Sequence, residues 1–343
     1  MYYQIFKEFI LTLKNKFLCC ILAACFALAL PFAVAGCKSD KSVIKINEVT
    51  HSVFYAPLYL ADALGYFEDE GFEIELTNGG GADKTMAAVL SGGADVGFCG
   101  PEAVIYTFLG GSEDQPKVFG QLTKRDGSFL VGRNKEDNFD WKTLGGKNVL
   151  AGRPGGVPFM TFGYLMNNLG VSPNYITEVS FDSMTAAFEG GIGDYCTMFE
   201  PVASEYQAAG KGYIVGAVGA EAGEIPYTCF MAKSSYINKN GDKIEGLLRA
   251  ITKATKYLNE TDVKQVAEKL KGYFAGTSVE SIEKSLESYK SIDAWVDNMA
   301  MKESSFTRLQ DVIELAGELS KRVAFSDIVL TETAQKVYNE IYA

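Results

Sequence analysis

Two stretches decide how this chain is read: DKTMAAVLSGGADVGFCGPEA at residues 83–103 and FDSMTAAFEGGIGDYCTMFEPVA at residues 181–203. In each, a helical run of small apolar residues empties into glycines, resumes as a short apolar strand and stops at a turn carrying Glu and Pro. The match extends backwards. KINEVTHSVFYAPLYLADALGYF begins at Lys45 and KNVLAGRPGGVPFMTFGYLMNNLG at Lys147, each a short strand, a loop, then Pro and an apolar-periodic helix. Pro57 corresponds to Pro158, Asp83 to Asp182 and Asp95 to Asp194, at offsets of 101, 99 and 99 residues. Gly and Ala match easily by chance, but a shared order at near-constant spacing points to a repeated structural unit.

Each copy reads strand, loop, helix, strand, helix, strand, which is the pattern of a parallel sheet with crossover helices. In the first copy, residues 44–49 alternate as a strand should. Pro57 suits the first turn of a helix, Leu58, Leu60, Ala61 and Leu64 give it an apolar stripe, and Gly65 ends it. Residues 72–76 and 95–99 read as the next strands, with Asp83 as the expected N-cap of the helix between them. In an open parallel sheet, loops at the carboxyl ends of the strands form the ligand crevice, and helices starting there point free N–H groups into it. Gly79-Gly80-Gly81, Gly100-Pro101-Glu102, Gly155-Gly156 and Glu200-Pro201 all fall at such ends. Two facing copies therefore predict a cleft lined by equivalent loops. From about residue 242 onward the chain reads as amphipathic helices with no third copy, expected to pack on one lobe.

The 343 residues, 47% hydrophobic and 22% charged, suit two ordinary globular domains and exclude a disordered or fibrous chain. The start is different. Lys7, Lys14 and Lys16 precede an uncharged run over residues 17–36, the layout of an export signal over residues 1–36. Val34-Ala35-Gly36-Cys37 resembles the lipobox of bacterial lipoproteins, which implies a diacylated Cys37 at the mature N-terminus and an exported protein lipid-anchored on the extracytoplasmic face of the membrane. Removing residues 1–36 takes away three Lys and one Glu of the 32 basic and 43 acidic residues, leaving a formal charge of −13 that argues against a nucleic-acid partner. Cys99, Cys196 and Cys229 remain, in apolar surroundings that suit small buried residues better than a disulfide scaffold.

The run FYAPLYLADALGYFEDEGFEIEL, then GGG, LSGGADVGF and GGVPFMTFGYL, resembles the substrate-binding lipoproteins of bacterial ABC importers, in the branch that holds sulfonate, taurine and nitrate binders and binders of thiamine-pyrimidine precursors. The resemblance covers nearly all of the mature chain. It implies an α/β type II periplasmic-binding fold: two α/β lobes joined by a hinge, a ligand cleft between them, and ABC permease and ATPase subunits as partners. The crossings between lobes are expected near residues 129–133 and 227–232. That gives lobe one as residues 43–130 plus 231–343, and lobe two as 131–230.

Carried over position by position, the resemblance makes His51, Phe54 and Tyr55 candidates in the loop after the first strand, with Gly81, Gly100 and Pro101 at the other turns of lobe one. Thr123 and Arg125, with Asp126 beside them, either line the cleft or fix the hinge. On lobe two, Gly155, Gly156, Val157 and Phe159 open a helix whose N–H groups suit an oxygen, and Tyr227 closes the set. Glu102 and Glu200 end the matched third strands, one in each lobe. They either receive a ligand's N–H donors or border their helices as ordinary carboxylates. Two acidic groups at a cleft mouth disfavour an unaccompanied anion. An aromatic nitrogen compound such as an aminopyrimidine therefore leads, and a sulfonate, taurine, nitrate or other small anion held by Arg125 or Arg153 is the alternative. His51 is the chain's one histidine, and no nucleophile elbow or metal-spaced Cys/His set accompanies it. Neither catalysis nor a cofactor or metal is expected.

Overall fold

The computed structural model describes residues 42–343, which form one compact unit. The export signal and Cys37 lie outside the described residues. Among those residues, no helix is long and apolar enough to cross a membrane.

The chain builds two five-stranded sheets of the same design. In the first, β1 (Ser42–Glu48), β2 (Phe72–Asn78), β3 (Val96–Cys99), β4 (Pro116–Thr123) and β10 (Thr228–Lys233) lie in the order β2-β1-β3-β10-β4. The second holds β5 (Ser128–Gly132), β6 (Asn148–Leu150), β7 (Asn174–Tyr175), β8 (Tyr195–Phe199) and β9 (Tyr213–Ala217) in the order β7-β6-β8-β5-β9. Three strands of one copy run parallel. A strand supplied from elsewhere in the chain then joins antiparallel to both of its neighbours, β10 in the first sheet and β5 in the second. The mixed α/β, two-lobed architecture is thus the one expected, and the repeat seen in the sequence is a repeat of topology.

One pair of matched residues shows why the repeat needs its particular letters. Asp95 donates its N–H to Lys45 O (2.9 Å) and takes the Lys45 N–H on Oδ2 (2.9 Å). Asp194 does the same with Asn148, at 2.7 and 2.8 Å. Each carboxylate closes the start of the parallel pair β1/β3 or β6/β8 with a charge-assisted bond where the ladder would otherwise leave a donor open. Pro57 and Pro158 likewise both sit in the first turn of their helices, Ala56–Ala63 and Val157–Leu169. Asp83 departs from expectation. Gly81 holds the N-cap position of helix Ala82–Ser91, and Asp83 lies in the first turn.

Both crossings come a few residues earlier than expected. The first is 124–127, since β5 already belongs to the second sheet; the second lies between β9 and β10, through helix Val218–Ala222 and residues 223–227. The apolar runs taken for crossings are the strands themselves, and the residues before them, Lys124-Arg125-Asp126-Gly127 in the first case and the mostly apolar 218–227 in the second, make the passage. The two segments are tied side by side by Ile225 N–H to Lys124 O (2.9 Å), Tyr227 N–H to Thr123 O (3.1 Å) and Thr228 N–H to Thr123 Oγ1 (2.9 Å).

The carboxyl-terminal helices do not pack on one lobe. Helix Gly241–Glu260 lies on Ala56–Ala63 and Glu332–Tyr342, within the first lobe, but Val279–Ser291 reaches helix Val202–Ala208 and Glu303–Leu315 reaches Val157–Leu169, both in the second. An amphipathic stripe reports that a helix has a face to bury, not what buries it.

Candidate ligand site

The site is built around Glu102. The turn after β3 delivers it as the first residue of helix Glu102–Leu109, almost fully buried. Its carboxyl folds back over Gly100, where an added Cβ would lie 2.0 Å from Oε2, so a side chain at position 100 would displace it. Burial pushes the Glu102 carboxyl up to about 7, against the opposing pull of the backbone N–H groups of Glu102, Val157 and Ala103 and of the Arg153 charge. Val157 opens helix Val157–Leu169 of the second lobe, with Gly156 as its N-cap. A carboxyl from one lobe therefore meets the positive end of a helix from the other. Its Oε2 is buried and has no hydrogen-bond partner.

Three phenols surround this carboxyl. Tyr55 and Tyr227 are buried and Tyr106 is half-buried; burial raises the pKa of each, and Glu102 adds to the rise. Tyr55 packs edge-on to Phe98 (4.6 Å between centroids) and its hydroxyl accepts from Thr228 Oγ1 (3.4 Å). Tyr106 donates across the lobes to Gly155 O (3.4 Å). The Tyr227 hydroxyl has no hydrogen-bond partner. A buried, acceptor-rich group between two lobes is poorly satisfied by the protein alone, and such orphaned atoms mark the places a ligand would fill.

The sequence pattern of the NMT1/THI5-like family matches residues 53–263. This chain belongs to that family. Over 332 residues, 95% of the NMT1/THI5-like chain and 99% of the relative, it is 38% identical to "Putative binding protein YtlA" of Bacillus subtilis (strain 168). It is also 26% identical to the 4-amino-5-hydroxymethyl-2-methylpyrimidine phosphate synthase of Schizosaccharomyces pombe, over 59% of this chain and 61% of that one. Among solved structures, the nitrate-binding protein NrtA of Synechocystis PCC 6803 superposes with a TM-score of 0.72 at 16% identity, covering 88% of this chain and 89% of that one. The alkanesulfonate-binding protein SsuA of Xanthomonas axonopodis pv. citri gives 0.67 at 17%, over 84% and 98%. These likenesses carry the type II periplasmic-binding fold.

The remaining expected residues of this NMT1/THI5-like chain fall into distinct places. Phe54 is wholly buried, its ring packed on Tyr55, Phe199, Tyr227 and Tyr289 at 4.9–5.9 Å, so it forms the cleft floor instead of an open stacking face. Phe159 packs edge-on to Tyr175 inside the second lobe. His51 is held at both ring nitrogens, Nδ1 by Glu48 Oε1 (2.8 Å) and Nε2 by Tyr273 O (2.9 Å). Both partners accept, and the Glu48 hydrogen bond raises the His51 pKa above its usual value. Thr123 is spent on tying the crossings, Pro101 caps helix Glu102–Leu109, and Gly81 holds its turn through Val49 O (3.1 Å).

Glu200 and Glu102 are not equivalent, although the sequence pairs them. Glu200 Oε2 accepts from Ser204 N (2.9 Å), and Oε1 accepts from Ser204 Oγ (2.7 Å) and Ser288 Oγ (3.0 Å). Its backbone N–H donates to the Tyr289 hydroxyl (3.0 Å) and its carbonyl accepts from Ser52 Oγ (3.1 Å). This carboxylate borders helix Val202–Ala208 and holds helix Val279–Ser291, while the residue's backbone ties the second lobe to Ser52 of the first. The arginines proposed for an anion are also engaged: Arg153 pairs with Asp83 across the lobes (3.3 Å), and Arg125 donates to Gly219 O (3.4 Å), though its Nε is buried without a partner. Ser288, Tyr289 and Ser52 are what sequence reasoning missed. The first two lie outside the repeat, where no internal comparison could single them out.

A cavity of about 320 Å³ opens between helix Glu303–Leu315 and the segment 323–326, lined by Phe306, Gln310, Val323 and Phe325 among others. It shares no residue with the Glu102 site, and its buried polar side chain, Gln310, is already spent on Val323 O (3.2 Å) and Val323 N (2.8 Å), so the chemistry points to Glu102.

Proposed function

We propose that this chain is the extracytoplasmic, lipid-anchored substrate-binding component of an ABC importer, and that its ligand is a small nitrogen-bearing aromatic, an aminopyrimidine first among them. The observation that carries the reading is Glu102 Oε2: a buried acceptor without a partner, between a second-lobe helix N-terminus and three phenols. An N–H donor on a flat ring satisfies it, whereas nitrate or a sulfonate brings only further acceptors. The names of the relatives divide along the same line, binding proteins on one side and a pyrimidine phosphate synthase on the other. Binding is the reading here because His51, the chain's one histidine, has both ring nitrogens taken up by the protein. The anion alternative rests on the unpartnered Arg125 Nε.

Thermal melting with candidate ligands tests the ligand class. A cognate aminopyrimidine at 100 times its dissociation constant stabilises the fold by about 2.7 kcal/mol, an easily measured shift, while nitrate and alkanesulfonates give none. A shift with a sulfonate alone reverses the assignment. The anchor is tested separately: Cys37→Ser in the full chain releases the protein from the membrane fraction or leaves an uncleaved precursor. Identical mass and fractionation of the two proteins would refute the lipid anchor.

A further inference from the structure

Buried polar atoms without partners also gather where the chain passes between the lobes. Arg125 Nε, Asp126 Oδ2 and the Tyr227 hydroxyl all lie on the two segments that pass between the lobes. Asp126 is wholly buried and commits only Oδ1, which accepts from Ser128 N (2.7 Å) and from Ser128 Oγ (2.5 Å). Its backbone is pinned by helix Val218–Ala222: a Cβ added at Gly219 would lie 2.1 Å from Asp126 O and 2.8 Å from Asp126 N. The Tyr227 hydroxyl sits beside the Asp126 carboxyl, close enough that each affects the other's titration, yet the two do not close a hydrogen bond of good geometry.

Tyr227 also connects this place to the site already described. Its acidity responds to Glu102 and Tyr55 as well as to Asp126, and its ring packs on Phe54 (5.8 Å) and Phe199 (6.4 Å), one from each lobe. The phenol is thus electrostatically coupled to two buried carboxyls, each with a buried oxygen that has no hydrogen-bond partner. A single water could satisfy Asp126 and Tyr227 locally. What favours a ligand is that the orphaned Tyr227 hydroxyl senses both Asp126 and Glu102 and its ring packs on rings from both lobes.

We infer that Asp126, with Tyr227 beside it, is a second anchoring point for the ligand on the crossing side of the cleft, and that it takes an N–H or O–H donor. The inference rests on the Glu102 reading and deepens it: the ligand carries donors at two separated ends, one for each carboxyl. Because Asp126 and Tyr227 belong to different crossing segments, a ligand that engages both also ties occupancy to the angle between the lobes.

Calorimetric titration with two probes tests it: 4-amino-5-hydroxymethyl-2-methylpyrimidine, and 4-amino-2,5-dimethylpyrimidine, which has a methyl in place of the hydroxymethyl arm. The wild type prefers the hydroxymethyl probe about tenfold, the worth of one hydrogen bond to a charged group. In Asp126→Asn, and in Tyr227→Phe as a second variant, that preference shrinks to about twofold or less. Glu102→Gln instead weakens both probes alike and keeps the ratio. A wild type that does not discriminate, or a ratio that survives in Asp126→Asn, overturns the second anchor, the latter being the outcome if water alone occupies it. If the wild type binds neither pyrimidine, the heterocycle reading at Glu102 fails separately, and the same proteins are titrated with taurine and ethanesulfonate, which differ by an ammonium donor. A preference for taurine that is lost in Asp126→Asn sustains the anchor; equal binding of the two, or none, overturns it.

Discussion

Glu102→Gln is expected to melt above the wild type at pH 8 without ligand, and to bind an aminopyrimidine about ten- to a hundredfold more weakly. Both effects have one cause. Burial raises the Glu102 carboxyl from 4.5 to about 7, so the folded protein holds a proton there that the unfolded chain releases at lower pH. The stabilisation this gives is fully present below the unfolded value and is lost as pH rises to about 7; above that, the folded state carries a buried carboxylate at a cost of roughly 3 kcal/mol. Gln keeps the shape and removes the charge, along with the charge-assisted hydrogen bond proposed for the ligand. Asp126, also raised by burial to about 7, acts in the same direction, so the variant retains part of the wild type's fall in melting temperature between pH 5 and pH 8. Groups tuned for binding at a cost in stability mark functional sites. Equal melting profiles and equal affinities for the two proteins would contradict this assignment.

Gly219→Ala is expected to destabilise the protein by about 3 kcal/mol, although it adds a single methyl. That methyl would lie 2.1 Å from Asp126 O and 2.8 Å from its N, and both are backbone atoms that no rotamer change can move aside. Relief requires helix Val218–Ala222 to shift away from residues 124–127, which spreads the two crossing segments. A drop in denaturation midpoint of this order, with a larger radius of gyration in small-angle scattering, is the predicted outcome. An unchanged midpoint would show that the crossings pack more loosely than the Gly219–Asp126 approach implies.

The repeat was legible because topology was written twice. Asp95 and Asp194 could be matched from spacing alone, and both perform the same strand-closing task. Pro57 and Pro158 mark helix starts by local chemistry, which sequence carries well. The same logic failed for Glu102 and Glu200. Matched positions share a backbone environment, but a side chain's role depends on what packs over it, and helix Val279–Ser291 covers only the second. Asp126 could be placed near a crossing from sequence; its unused oxygen could not, because that depends on how two segments about a hundred residues apart lie against each other. The crossings were misplaced for a related reason: apolar runs are the visible feature, and the passages between lobes lie just before them, in 124–127 and in helix Val218–Ala222 with 223–227.

Native mass spectrometry of the purified protein, followed by identification of any small molecule released on unfolding, tests most directly whether Glu102 is the acceptor for a ligand's N–H group. The expected result is a nitrogen-bearing ring with N–H donors, retained by the wild type and depleted in Glu102→Gln. Recovery of a sulfonate, nitrate or another anion without such donors, retained equally by both proteins, would contradict it.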